Sequence, residues 1–150
     1  MKIALASDHA GYDLKQAVGG FLSGRGVETM DFGSRAGEIA DYVDTAEKAC
    51  RAVLDGVCDR AVLICGTGIG MSMVANKFRG IRGTLCWNSI TAEMARKHND
   101  SNCLTLGGRI LDIETAREIV RIWLETPFEG GRHGRRLEKI AALEAQNCRS

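Results

Sequence analysis

One proline, 5% aromatic residues and a formal net charge of +1 are what this 150-residue chain has least of. With Pro127 alone and no low-complexity stretch, there is no sign of a linker or an internal repeat. A charge so close to zero gives no global field to draw nucleic acid or an acidic membrane. No apolar run approaches the roughly 20 residues of a membrane span. Met1-Lys-Ile-Ala-Leu-Ala-Ser-Asp8 turns polar too soon for a secretory signal, so a cytoplasmic protein is expected. The six cysteines, at 50, 58, 65, 86, 103 and 148, form no C-x-x-C pair. That excludes zinc-ribbon and thioredoxin readings, and no metal is expected. Cys86 and Cys103 sit in strand-like runs, Cys50 and Cys58 flank a helix end, and Cys148 falls in the tail.

What is present is ordinary for a globule: 45% apolar and 26% charged residues, enough for one domain over 1–150 with a real core. Strand-like runs occur at Lys2–Ser7, Val27–Phe32, Arg60–Cys65, Arg82–Cys86 and Cys103–Gly107. Helical periodicity lies between them. Leu14, Val18, Phe21 and Leu22 share one stripe, with Gly26 as its stop. Ile113, Ala116, Ile119, Val120 and Trp123 share another, with Asp112 as N-cap. A further helix is expected over Ser89–Lys97 and a last one over Gly134–Gln146. Strands alternating with helices predict an α/β fold, a parallel sheet covered on both faces.

The most informative segment is Cys65-Gly-Thr-Gly-Ile-Gly70. It joins the apolar run Ala61–Ile64 to a helix expected over Met71–Lys77. A strand, a glycine-rich turn and a helix start bring backbone N–H groups together where the helix dipole favours negative charge. The glycines at 66, 68 and 70 spell neither G-x-G-x-x-G nor a P-loop, so tight-turn geometry and anion binding both remain open. Cys65 reads either as inert core or as a base at the mouth of that cradle. Thr67 reads as a capping hydroxyl.

In open α/β sheets, ligands bind outside the carboxyl ends of the strands. Here those ends carry Ser7-Asp8-His9, Cys65-Gly66-Thr67, Trp87-Asn88-Ser89 and Gly107-Gly108-Arg109. A parallel sheet would crowd them along one edge. His98 reads as a helix-end cation or a functional imidazole. Gly130-Gly-Arg-His-Gly-Arg-Arg136 reads as a solvated basic face or a phosphate clamp, because guanidinium forks match phosphate oxygens. Asp41-Tyr42 reads as a loop.

Taken in order, Ser7-Asp-His-Ala-Gly11, Asp41-Tyr42, Ile64-Cys-Gly-Thr-Gly-Ile-Gly70, Ala75-Asn-Lys77, Gly80-Ile-Arg82, Arg96-Lys-His-Asn-Asp100, Leu106-Gly-Gly-Arg109 and Gly130-Gly-Arg-His133 with Arg136 resemble the ribose/galactose isomerase family over essentially the whole chain. The resemblance implies a Rossmann-like three-layer α/β/α fold with a five-stranded, mainly parallel sheet and a C-terminal helical tail. It implies aldose–ketose interconversion of ribose 5-phosphate and ribulose 5-phosphate through an enediolate, with no cofactor. In that setting Cys65 is the base, Thr67 moves a hydroxyl proton and His98 opens the furanose ring. Gly66, Gly68 and Gly70 stabilise the oxyanion. Asp8, His9, Tyr42 and Asn99 contact sugar hydroxyls. Arg132, His133, Arg136 and Arg109 hold the phosphate. The resemblance also implies a homodimer, or a dimer of dimers, whose sites are shared between subunits. Another branch of the family has a glutamate in place of Met71 and lacks the cysteine. Val43 stands where many members have proline. The rivals are an isomerase of allose 6-phosphate or galactose 6-phosphate, and a sugar-phosphate-binding module without catalysis.

Overall fold

The computed structural model describes residues 1–147; Cys148 lies outside them. Five strands form one sheet: β1 (Lys2–Ser7), β2 (Glu28–Asp31), β3 (Arg60–Cys65), β4 (Gly83–Leu85) and β5 (Cys103–Gly107). Their order is β2-β1-β3-β5-β4 and every neighbouring pair is parallel. The helices are α1 (Tyr12–Gly24), α2 (Tyr42–Leu54), α3 (Ile69–Ala75), α4 (Ser89–Asn99), α5 (Ile113–Glu125) and α6 (Arg132–Asn147). A short 3₁₀ turn over His9–Gly11 links β1 to α1.

The period of two along each strand separates two cores. Ile3, Leu5, Val62, Ile64, Leu104 and Leu106 face one way, onto the stripes Leu14–Val18–Leu22 of α1 and Ala116–Ile119–Val120–Trp123 of α5. Ala4, Ala6, Ala61 and Leu63 face the other way, onto Ala46, Ala49 and Cys50 of α2 and Met71 and Ala75 of α3. Bulky aliphatics meet α1 and α5. On the second face, small residues on both layers let α2 lie close to the strands. Each fully buried Leu or Ile contributes about 1.5–3 kcal/mol by leaving water. The result is the three-layer arrangement expected from the sequence.

Several boundaries shift for local reasons. β2 lacks Val27, whose N–H instead closes the end of α1 on Leu22 O. β4 lacks Arg82, whose N–H goes to the side chain of Asn102. Asp41 and Tyr42 are not loop residues: the Asp41 carboxylate caps α2 through the Val43 N–H, and Tyr42 is the first helical residue. α6 starts at Arg132, two residues before the expected Gly134, because Gly130 and Gly131 adopt φ of 67° and 54° and turn the chain straight into the helix.

Gly11 shows how closely the carboxyl ends are stitched. A Cβ there would lie 2.4 Å from the carbonyl oxygen of Ile64, which is backbone and has no room to yield. Gly11→Ala should therefore cost about 2–3 kcal/mol or more in urea unfolding. Gly20→Ala, in α1 with open space around it, should raise stability by about 0.5–1 kcal/mol through helix propensity. Equal effects at the two positions would show that backbone entropy, not close approach, governs Gly11.

Candidate active site

The strand order reverses between β1 and β3, so their carboxyl ends open onto a crevice. β1 delivers Asp8, 8% exposed, whose carboxylate accepts the Gly11 N–H at 2.9 Å. The Asp8 N–H donates to Ile64 O at 3.2 Å, which ties the end of β1 to that of β3. β3 delivers Cys65, buried, with its sulfur accepting the Gly68 N–H at 3.2 Å. Gly68 has φ of 79°, and a Cβ there would meet the Leu106 carbonyl carbon at 2.9 Å. A side chain would thus lift the loop off β5 and take the N–H away from the sulfur.

β5 closes the other side. The Gly108 N–H donates to Cys65 O at 2.8 Å and the Arg109 N–H to Gly66 O at 2.9 Å. The Arg109 side chain lies across Gly66. Thr67 is exposed beside them, its hydroxyl accepting the Ile69 N–H at 3.3 Å. The ring of Tyr42 covers Gly70 from the start of α2. His9 is exposed and lines a neighbouring hollow with Tyr12 and Arg35. Asp8, Tyr42, Cys65, the glycine loop, Thr67 and Arg109 therefore share one edge, as the strand pattern predicts.

His98 and Asn99 do not join them. α4 starts just past β4 and runs back antiparallel to the strands, ending shortly before β5 begins. Its 11 residues carry His98 roughly 15 Å toward the amino-terminal edge, at about 1.5 Å per residue. The turn after it is held rigidly. Asp100 is the one non-glycine residue with positive φ among those described, 42°, and both Arg82 and Arg96 grip its carboxylate at 2.9 Å. The Arg82 Nε also donates to Asn99 O at 3.2 Å.

The basic segment gathers at that second edge. The His133 ring stacks on the His98 ring, centroids 4.1 Å apart and 5° from parallel. His133 is buried, while Arg132 and Arg136 are exposed and in no ion pair among the described residues. The Arg132 Nε donates to His133 Nε2 at 3.3 Å, and the Glu129 carboxylate stands 3.8 Å from the same nitrogen. Burial first, then the charges of His98, Arg132 and Arg136, push the His133 imidazole below its ordinary range, against the pull of Glu129. Donor atoms of His98, Glu129 and His133 lie within 4.8 Å of one another. With a guanidinium on the His133 nitrogen and a second cation close by, these residues do not fit a dication; they form an acid–base cluster.

Sequence reasoning missed the supporting residues. Glu129 carries no motif signal. Lys15 sits on a helix as an ordinary polar residue, yet it is 1% exposed, with Nζ on both Asp31 oxygens at 2.7 and 2.8 Å and on Ser34 O at 2.8 Å. It anchors the chain that leads from β2 to Tyr42. The charge pattern of Arg82, Arg96 and Asp100 was visible, but their convergence on one turn was not.

A parallel α/β frame with a carboxylate, a thiol and a glycine-rich loop at its strand ends defines the class. The model of the ribose/galactose isomerase family matches residues 3–140, and the chain belongs to that family. It is 45% identical to ribose-5-phosphate isomerase B of Escherichia coli, over 95% of this chain and 96% of that protein. It is 40% identical to D-erythrulose-4-phosphate isomerase of Pectobacterium atrosepticum, over 97% of each. The structure of ribose-5-phosphate isomerase B from Clostridium thermocellum superposes with a TM-score of 0.96 at 48% identity, covering 98% of this chain and 99% of that one.

The contact between Gly70 and Tyr42 is testable directly. A Cβ on Gly70 would lie 2.7 Å from the Tyr42 ring, so Gly70→Ala should displace that ring and lower stability. Tyr42→Ala should remove the clash, and the double-mutant cycle should give a coupling of at least about 0.5 kcal/mol. Additive effects would place the ring elsewhere.

Proposed function

We propose that this chain interconverts ribose 5-phosphate and ribulose 5-phosphate by acid–base proton transfer, as a cytoplasmic homodimer with shared active sites. The observation that carries this reading is the division of the catalytic set between two edges of one sheet. Asp8, Cys65, Thr67, Arg109 and the glycine loop lie at one edge, His98 with Arg132 and Arg136 at the other. A single chain cannot bring them to one substrate, whereas a symmetric dimer can place the second edge of one subunit over the first edge of its partner. Exposed apolar side chains beside the first edge, Ile69, Trp87 and Ile110, supply surface for such a contact. No helix among the described residues is long and apolar enough to cross a membrane.

In this mechanism His98 of one subunit protonates the ring oxygen of the furanose, the bond from C1 to that oxygen breaks, and the C1 hydroxyl gives its proton to solvent to leave the aldehyde. The Cys65 thiolate of the other removes the proton from C2 and returns it at C1. Between those events the substrate is an enediolate, and the N–H groups of the Gly66–Gly70 loop stabilise its oxyanion. Thr67 passes the hydroxyl proton between O1 and O2. Asp8, His9, Tyr42 and Asn99 hold sugar hydroxyls, and Arg132, Arg136, Arg109 and His133 surround the phosphate. The chemistry needs only these side chains and backbone donors. A second reading concerns chain length. A relative named for a four-carbon substrate shares 40% identity, so four- and six-carbon phosphates belong beside ribose 5-phosphate in any kinetic comparison.

Cys65→Ala should lower turnover of ribose 5-phosphate about 10²–10⁴-fold, the usual contribution of a positioned base, with binding nearly intact. His98→Asn should cripple the same direction. Mixed and reassembled, the two inactive variants should regain about a quarter of wild-type activity, because half of the dimers are hybrids with one intact site of two. No recovery, with exchange of subunits verified, would sink the shared site. Full activity of Cys65→Ala would sink the base.

Arg132 and Arg136 are four residues apart and share a face of α6, while Arg135 lies about 100° around the helix from Arg136. Arg136→Ala should raise KM for ribose 5-phosphate about tenfold or more, consistent with loss of one charge-assisted hydrogen bond. Arg135→Ala should leave it near the wild-type value. The reverse order of damage in steady-state kinetics would overturn the clamp.

A further inference from the structure

The histidine cluster is more ordered than a phosphate grip requires. A nitrogen that accepts a hydrogen bond carries no proton. The Arg132 Nε donates to His133 Nε2, so in this geometry His133 is a neutral imidazole protonated on Nδ1. Two parallel rings 4.1 Å apart resist double charging, because like charges at that distance repel.

The charged groups around it come from three elements. α4 contributes Lys97, whose ammonium is paired with Glu93, and Arg96, whose guanidinium is paired with Asp100. The segment before α6 contributes Glu129, tethered by its N–H to Lys97 O at 3.1 Å. α6 contributes Arg132 and Arg136, which have no carboxylate partner among the described residues. The two uncompensated cations are thus the two groups that a phosphate would engage. Burial and those same cations hold His133 below its ordinary range.

We propose that His133 is a positioning residue for His98 and that Arg132 couples the pair to phosphate: when a phosphate dianion engages Arg132 and Arg136, the guanidinium leaves His133 Nε2 and one proton enters the stacked pair from solvent. The proton is released again when the phosphate departs. This rests on the reading of Arg132 and Arg136 as the phosphate grip. His98 then becomes an acid able to protonate a ring oxygen only while a phosphate is bound, and the phosphate serves as an activator as well as a handle.

The test is a carbon–proton NMR titration of the imidazoles in the full-length protein, with and without saturating inorganic phosphate. The chain has only three histidines, so His9→Gln assigns the remaining two. Because the rings interact, the midpoint belongs to the pair. Phosphate should raise it by about one unit or more, tenfold in proton affinity, as expected for an opposite charge brought within a few ångströms. In Arg132→Gln the midpoint without phosphate should already lie higher, since a cation is gone, and the phosphate response should fall to less than half. The coupling is overturned if phosphate perturbs the amides around Arg132 and Arg136 but leaves the midpoint unmoved. It is equally overturned if inorganic phosphate perturbs neither. The readout does not use isomerase activity: a protein inactive on ribose 5-phosphate that still shows the shift refutes the substrate and keeps the coupling, and an active protein without the shift does the opposite.

Discussion

Strand direction is the constraint on which the rest of this structure depends. Five parallel strands deliver all their carboxyl ends to one edge. The helix that follows each strand must run back across the sheet, so whatever a helix carries at its own end arrives at the opposite edge. Asp8, Cys65 and Arg109 follow strands; His98 and Asn99 finish a helix. The same connectivity that gathers Cys65 and its glycine loop therefore separates them from the His98 imidazole. In the proposed dimer that separation is what makes each subunit supply half of two sites.

The near edge is held in place by backbone, not by side-chain packing. Gly11 touches the end of β3, Gly68 touches β5, and the N–H groups of Gly108 and Arg109 bond to the carbonyls of Cys65 and Gly66. Side chains cannot intervene at such distances, and a loop fixed by backbone contacts loses little entropy when a substrate arrives. Donors fixed in this way need not reorganise as charge develops, which is the source of their effect on a transition state. At the far edge the device differs. There a residue with unfavourable φ, Asp100, is held by two guanidiniums, and this orients the two residues before it. Left-handed backbone at a non-glycine residue costs of order 1–3 kcal/mol, and the two charge-assisted contacts offset it.

The electrostatics of the two edges are likewise distinct. The near edge presents backbone N–H dipoles, the Asp8 carboxylate and the Arg109 guanidinium. The far edge carries two cations, Arg132 and Arg136, without carboxylate partners among the described residues, beside a stacked pair of imidazoles. In the proposed coupling, binding energy from a phosphate is linked to the charge of the group that acts on the ring. Lys15 plays a quieter part: buried against Asp31 and Ser34, it fixes the path by which Tyr42 reaches the loop.

The amino-acid sequence by itself determined the strands, the helical stripes of α1 and α5, the Asp112 cap and the parallel architecture, because periodicity and capping are local. It also placed Cys65, Thr67 and the glycine loop at a strand end, since strand, turn and helix are consecutive there. The identity of the family was legible in motifs spread along the chain. Only the tertiary structure decided what lies near what. It put His98 on the edge opposite Cys65, although both carry motif signals, because the path of α4 sets that distance. It turned His133 inward onto His98 and left its neighbour Arg132 in solvent, a consequence of where α6 begins. It paired Lys15 with Asp31 and Arg82 and Arg96 with Asp100. Of those pairs only Arg96–Asp100 has a sequence spacing of its own, four residues along one helix; the others exist because separate elements, packed on a twisted sheet, bring opposite charges to the same point in space.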